Sequence, residues 1–344
     1  MANIKEIAKA CDVSISTVSN VLNNKKSVKA HTRELILETA KRMEYVPNYM
    51  AKNLKQKATQ TIGIIAEDLT VFNCPEIVDG IHAYLEEMGY SFLLGNLRLY
   101  KKYGNKFYIT ENYKTQVIEE FRMMQAKQVN GIIYIGAHNR EIHCIPNDLL
   151  IPVVIAYGFA SDDNIPSVIL NDEKAAYDAT NALIEKGHQL IGVIAGEDKS
   201  IHTKERLRGF QRALYQHKLL YNPELIYQGN WVRASGYQGT AQLVQMGVTA
   251  IFAMNDNMAL GIYDYAYEHG IKIGSELSII GMDNKEISTV LRPSLTTMAL
   301  PLNEIGKQAA RIIIEICKKQ YRDDEHIHKI ECNLVERESI GKTF

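Results

Sequence analysis

Cysteine is sparse and unpatterned: Cys11, Cys74, Cys144, Cys317 and Cys332 form no CxxC and leave an odd one over. That excludes a disulfide scaffold and a zinc ribbon and points to a reducing cytoplasmic setting. No run approaches the about 18 uninterrupted apolar residues of a membrane helix, and Met1–Glu6 lacks the apolar stretch of a signal peptide. Neither G-x-x-x-x-G-K-[ST] nor G-x-G-x-x-G occurs, so a nucleotide enzyme has no support. Asp68 and Asp283 could imitate the acid and base of a hydrolase, but no nucleophile motif accompanies them. His326-Ile327-His328 puts two histidines on one strand face without further ligands, which reads as an exposed strand. The expectation is a protein that is not an enzyme and needs no cofactor or metal.

What is present is a chain of 344 residues, 46% hydrophobic and 23% charged, enough for two or three folded domains. The net charge of −1 hides an asymmetry. Residues 1–60 carry eleven Lys/Arg against five Asp/Glu, and the remainder is acidic. A basic head on an acidic body suggests that the head meets a polyanion.

Within the head, Ile4, Ile7 and Ala8 recur at helical spacing. Ser14 can cap a second helix through Ile15–Leu22, with Val18, Val21 and Leu22 as its apolar stripe. A third helix, about Thr32–Met43, is expected to turn Leu35, Ile36 and Ala40 inward. Two helices joined by a tight turn and braced by a third make a helix-turn-helix. The outer face of the second helix shows Ser16, Thr17, Ser19, Asn20 and Asn23 and no acid. Such a face can lie against phosphates, with Lys5, Lys9, Lys25, Lys26 and Lys29 as counter-charge.

These residues carry a resemblance. Ile4-Lys5-Glu6-Ile7-Ala8, then Val13 to Asn23, then Thr32-Arg33 and Tyr45-Val46-Pro47-Asn48 through Ala51 and Leu54, resemble the DNA-binding module of the LacI/GalR family of bacterial transcription regulators. The resemblance implies that Ile15, Ser16 and Asn20 read bases, that Ser14, Thr17, Ser19 and Asn23 hold phosphates, and that Asn48, Ala51 and Leu54 lie on the DNA. Asp12 departs from the family's turn glycine, though aspartate tolerates left-handed backbone. Asn20 replaces a common arginine, and asparagine favours adenine where arginine favours guanine. Residues 47–60 then form a hinge and linker rich in lysine. A two-turn helix is marginal alone in water; the resemblance implies that it folds on DNA, pairs with a dimer mate and wedges Leu54 into the minor groove.

From residue 61 to 344, short apolar runs alternate with helical patterns, which means parallel sheets covered on both faces. About 280 residues is too long for one such sheet, so two lobes are expected, with Ser167–Leu170 opening the second. The fold class is thus an N-terminal all-α helix-turn-helix module (residues 1–46) plus an α/β periplasmic-binding-protein-like body of two parallel-sheet lobes. Ligands of such lobes bind beyond the carboxyl ends of the strands. There lie Asp68, His138, Tyr157, Asn171-Asp172, Asn255-Asp256 and Asp283, with Arg206 and the single tryptophan, Trp231, nearby. An aromatic plane, an arginine and several carboxylates or amides suit a polyol.

The resemblance continues through Arg206-Leu207-Arg208-Gly209-Phe210, Asn255 to Gly261, Ile280-Gly281-Met282-Asp283 and Pro293 to Thr297. It implies effector contacts from Arg206, Trp231, Asn255 and Asp283, and lobe crossings near Gly158, Arg292 and Lys319. In the first lobe Val71-Phe72-Asn73-Cys74 departs from the family's Asn-Pro-Phe-Phe, leaving Phe72 and Asn73 as candidates. Leu97–Asn112 is longer than the family's connection and is read as a tyrosine-rich flap at the cleft mouth. The expectation is a repressor that binds a near-palindromic operator as a homodimer under control of a sugar or glycoside. A nucleobase or a partner protein as corepressor and, further off, a solute-binding protein remain open.

Overall fold

The computed structural model describes residues 3–22, 28–45, 59–104, 106–110, 112–162, 164–322 and 325–343. It divides into a small unit through Thr59 and a large one from Gln60. In the small unit α1 (Ile4–Ala10), α2 (Ile15–Leu22) and α3 (Ala30–Arg42) surround a core of Ile7, Val18 and Ile36, all fully buried. Asn3 and Glu6 close a reciprocal cap on α1: Asn3 Oδ1 accepts from Glu6 N at 3.1 Å, and Glu6 Oε2 accepts from Asn3 N at 3.0 Å. Asp12 takes φ 51° in the turn between α1 and α2. Leu35, expected inside, is 42% exposed. The inward stripe of α3 runs through Ile36, Thr39 and Ala40 at the i, i+3, i+4 spacing of one helix face, and Leu35 lies about 100° off its centre.

The large unit begins with β1 (Thr61–Ala66), α4 (Cys74–Glu87), β2 (Ser91–Asn96), α5 (Leu99–Tyr103), α6 (Lys114–Ala126), β3 (Gly131–Ile135), β4 (Val153–Ala156) and β5 (Ser167–Leu170). There follow α7 (Asp172–Glu185), β6 (Ile191–Ala195), α8 (Ile201–Gln216), β7 (Ile226–Gln228), α9 (Arg233–Gln245), β8 (Ala250–Ala253) and α10 (Asp256–Glu268). The remaining elements are β9 (Ser278–Asp283), α11 (Ile287–Val290), β10 (Thr296–Ala299), α12 (Leu302–Cys317), β11 (Ile327–Ile330) and β12 (Asn333–Val335). Among the described residues the strands form two six-stranded sheets, ordered β11-β5-β4-β3-β1-β2 and β12-β10-β9-β8-β6-β7. All pairings are parallel except β10 with β12. Every residue of β3, β4 and β8 is buried, as continuous apolar runs between helical layers require.

The strand orders move the lobe crossings. Strand β5 belongs to the first sheet, so the chain leaves that lobe between Leu170 and Asp172, not near Gly158. Strands β9 and β10 share the second sheet, so the return follows Ala299 rather than Arg292. Helix α12 packs on α4, where a Cβ at Gly80 would fall 2.0 Å from Asn303 O, and β11 joins β5. The third crossing therefore lies between Ile330 and Asn333, beyond Lys319.

Candidate functional site

On the small unit, Ser14 Oγ accepts from Thr17 N at 3.1 Å, satisfying a free N–H in the first turn of α2. It also lies 2.7 Å from Ser16 Oγ and 2.8 Å from Thr17 Oγ1. Three hydroxyls therefore cluster at a helix N-terminus, where partial positive charge favours an anion. Ile15 beside them is 45% exposed, while Ser19 and Asn20 are half-buried. Residues 15–22 carry no carboxylate. Asn23, Asn48, Ala51 and Leu54 fall outside the described residues.

On the large unit the most tightly built group stands in the second lobe. Arg206 Nε donates to Asp172 Oδ1 at 2.7 Å, and His202 Nδ1 bonds Asp172 Oδ2 at 2.7 Å. His202 and Arg206 are one helical turn apart on α8, so both reach a carboxylate presented by the start of α7. Burial pushes the Asp172 carboxyl up, but pairing with His202 and Arg206 outweighs this and brings it down to about 2. The Arg206 guanidinium also donates to Met254 O and sits 5.6 Å from the centre of the Trp231 ring. Behind Trp231 is Gly196, where a Cβ would fall 1.9 Å from indole Cζ2. Asn255 is occupied by structure: Oδ1 accepts from Met258 N at 2.8 Å, capping α10, and Nδ2 donates to Trp231 O at 3.0 Å. Asn255 thereby positions the tryptophan loop.

Asp283, at the end of β9, pairs with Lys285 Nζ at 3.1 Å. Asp256 next to it accepts from Thr297 Oγ1 at 2.7 Å and from Lys285 N at 2.9 Å. Burial pushes both carboxyls up, and the neighbouring negative charge of Asp283 raises Asp256 further.

The first-lobe wall gathers at the ends of β1 and β3. Asp68 Oδ1 accepts from Thr70 N and Oγ1 at 3.0 and 2.7 Å, and Asn73 Nδ2 donates to Gly136 O at 3.1 Å. The backbone N–H groups of Tyr100 and Lys101 also bond the Asp68 carboxylate and, with Thr70, bring its carboxyl down against the effect of burial. Asn73 Oδ1 is buried with no partner in the protein, as is Thr203 Oγ1 on α8. Tyr100 OH bonds His138 Nε2, and Tyr108 packs edge-on to the same imidazole. Beneath lies fully buried Glu67, which accepts from Tyr134 OH at 2.6 Å, Ala137 N at 2.7 Å and Arg140 Nη2 at 2.6 Å.

The two walls meet. The Tyr157 ring lies 5.6 Å from His202, and Lys285 Nζ sits 4.4 Å above the exposed ring of Phe72. Tyr157, Trp231 and Asp283 all have positive φ (60°, 71° and 126°), a backbone region that non-glycine residues adopt where the surroundings hold them there. The sequence places Asp172 and Asp256 at strand ends without assigning them a role, and gives no place to His202, Glu67, Arg140 or Lys285. His202 and Arg206 at i, i+4 were a local signal; the carboxylate that joins them is thirty residues upstream. Among the described residues no cluster of His, Cys, Asp and Glu could hold a metal ion, and no helix is long and apolar enough to cross a membrane.

Residues 3–48 match the model for bacterial regulatory proteins of the lacI family, and residues 180–340 match a periplasmic binding protein-like domain. Catabolite control protein A of Priestia megaterium is 32% identical over 335 residues, covering 95% of this chain and 97% of the relative. The chain belongs to the LacI family. Repressor PurR of Vibrio cholerae is 31% identical over 352 residues, covering 99% of this chain and 98% of that protein. The lac repressor dimer bound to operator and the anti-inducer ONPF has the same architecture, with a TM-score of 0.77, 25% identity and 98% of each chain covered. The protein is a LacI-family transcription regulator with a DNA-binding head and an effector-binding body, and its relatives are regulators, not enzymes. The domain match begins at residue 180, leaving outside it the first-lobe stretch that holds Val71–Cys74 and Leu97–Asn112.

Proposed function

We propose that this regulator is a cytoplasmic repressor that binds a near-palindromic operator as a homodimer, and that a sugar or glycoside in the interlobe cleft sets its DNA affinity. Residues 1–46 read the operator through Ser14, Ile15, Ser16, Thr17, Ser19, Asn20 and Asn23. Residues 47–60 are the hinge, with Asn48, Ala51 and Leu54 on DNA, and residues 61–344 bind effector and dimerise. The observation that carries the effector reading is one of unspent hydrogen-bonding capacity. Asn73 Oδ1 in the first lobe and Thr203 Oγ1 in the second are buried without protein partners, and the Trp231 indole rests on Gly196. Buried polar atoms are rarely left unpaired, and a polyol supplies hydroxyls to them and C–H faces to Trp231. Phe72, His138, Tyr157, Arg206, Asn255 and Asp283 complete the lining, Asn255 by positioning Trp231.

A nucleobase is the second reading, because the same indole can stack a purine. The test is tryptophan-selective fluorescence of the full-length protein titrated with mono- and disaccharides and with purines. Trp231 is the only tryptophan, so the signal reports this site. A saturable change with a saccharide, lost in Asp283→Ala, supports the proposal; a response only to purines replaces it with the second reading. For the hinge, Leu54→Ala should weaken operator binding far more than binding to random DNA, and equal losses would remove the wedge.

A further inference from the structure

We propose that the segment following β2 is a strap between the lobes, with Lys106 pairing with Glu197 to favour the closed cleft. The sequence reads this stretch as a tyrosine-rich flap near the cleft mouth; in the structure it is anchored. Leu97 N donates to Ala66 O at 3.0 Å and Leu99 N to Glu67 O at 2.9 Å, fastening α5 to the end of β1. Gln116 Nε2 donates to Leu97 O at 2.9 Å from α6. Phe107 is 1% exposed, with ring centres of Tyr100, Tyr108 and Tyr113 at 5.8, 5.6 and 5.2 Å and the Arg140 guanidinium at 5.3 Å.

The residue before this anchor is Lys106, whose Nζ lies 3.6 Å from Glu197 Oε1 in the loop after β6. That strand belongs to the other sheet, so the pair spans the lobes. Tyr108 faces the same carboxylate: burial, then the charge of Glu197, push its phenol up. Exposed ion pairs are usually weak because both side chains must be ordered. Here the backbone beside Lys106 is already fixed by Phe107, so only the side chains remain to be ordered. Glu197 adjoins Gly196, the backing of Trp231, so a change in lobe separation at this pair alters access to the indole. Lys285 over Phe72 and Tyr157 beside His202 also cross the gap, and the strap adds to them.

The inference does not depend on what the effector is, so its test uses the ligand-free, full-length protein. Acrylamide quenching of Trp231 is measured for wild type, Lys106→Glu, Glu197→Lys and the double swap, with far-UV circular dichroism confirming the fold. Lys106→Glu is the informative single variant, because it sits on the lobe opposite the tryptophan. The expected result is an open-to-closed ratio raised about two- to fivefold in each single variant, restored by the swap. Wild type in 1 M salt should move toward the single variants. Quenching in Lys106→Glu equal to wild type, or a double variant no closer to wild type than its parents, overturns the strap.

Discussion

Arg206 and Asp172 form an ion pair that is almost wholly buried, 2.7 Å from Nε to Oδ1 and only 3% and 2% exposed. Two charges out of water are tolerable only while each has the other. Asp172→Asn should therefore destabilise the body by about 3–5 kcal/mol, read as a lower urea midpoint with an unchanged slope. A midpoint within error of wild type would mean that the pair does not hold this wall together.

The same pair sets a direction with pH. Asp172 titrates at about 2 in the folded protein, below the about 3.9 of an unfolded aspartate. Its stabilisation is thus complete above about pH 4 and fades as pH falls toward 2. Urea midpoints measured between pH 5 and 2.5 should fall more steeply in wild type than in Asp172→Asn. Parallel curves would assign acid sensitivity to other carboxylates.

Gly196 is there for want of a side chain. Gly196→Ala would place a methyl 1.9 Å from indole Cζ2, so Trp231 must leave its seat. The expected outcome is a red-shifted tryptophan emission and stronger quenching, with a melting temperature close to wild type. An unshifted spectrum would show that the indole does not rest on this glycine.

In the head, Asp12 holds φ 51° in the turn before α2. Asp12→Gly should leave the head as stable or slightly more so, whereas Asp12→Val should cost about 1–2 kcal/mol or more, since a β-branched residue resists left-handed backbone. Amide hydrogen exchange of Val18 in α2 would show faster exchange in the valine variant alone. Equal exchange in the two variants would mean that the turn relaxes.

Asn20 sits half-buried on the acid-free face of α2. Selection from random duplexes should give wild type A·T at one position of each half-site, and Asn20→Arg should change it to G·C by about 1–3 kcal/mol of discrimination. An unchanged preference would remove Asn20 from base reading.

Local pattern made much of this molecule readable. The runs Gly131–Ile135, Ser167–Leu170 and Ala250–Ala253 are strands with the bounds their composition suggests, because a buried parallel strand reads as a near-continuous apolar run. Sheet membership is a different kind of information. Nothing within Ser167–Leu170 says whether it pairs with Ile155 or opens a new sheet, and so the crossings near Gly158, Arg292 and Lys319 were misplaced. Asn255 shows the same limit: its type suits both a ligand contact and a helix cap, and only its hydrogen bonds to Met258 and Trp231 distinguish them. Asp172 is legible as a strand-end carboxylate, but its pairing is not, because its partners lie thirty and thirty-four residues downstream.

Three crossings mean that neither lobe is a continuous piece of chain. The first sheet begins at Thr61 but receives its edge strand β11 only at Ile327–Ile330, after the second lobe has been threaded through in between. Helix α12, which covers α4 and the first sheet, also arrives after residue 301. During synthesis, β1 to β5 must therefore wait more than 130 residues for the helical cover to begin and more than 150 for the edge strand. Such a lobe is exposed to mispairing while it waits, and its long sequence separations favour slow closure. An excised first lobe ending at Leu170 would lack both pieces. Neither half can be made or exchanged by a single cut in the gene.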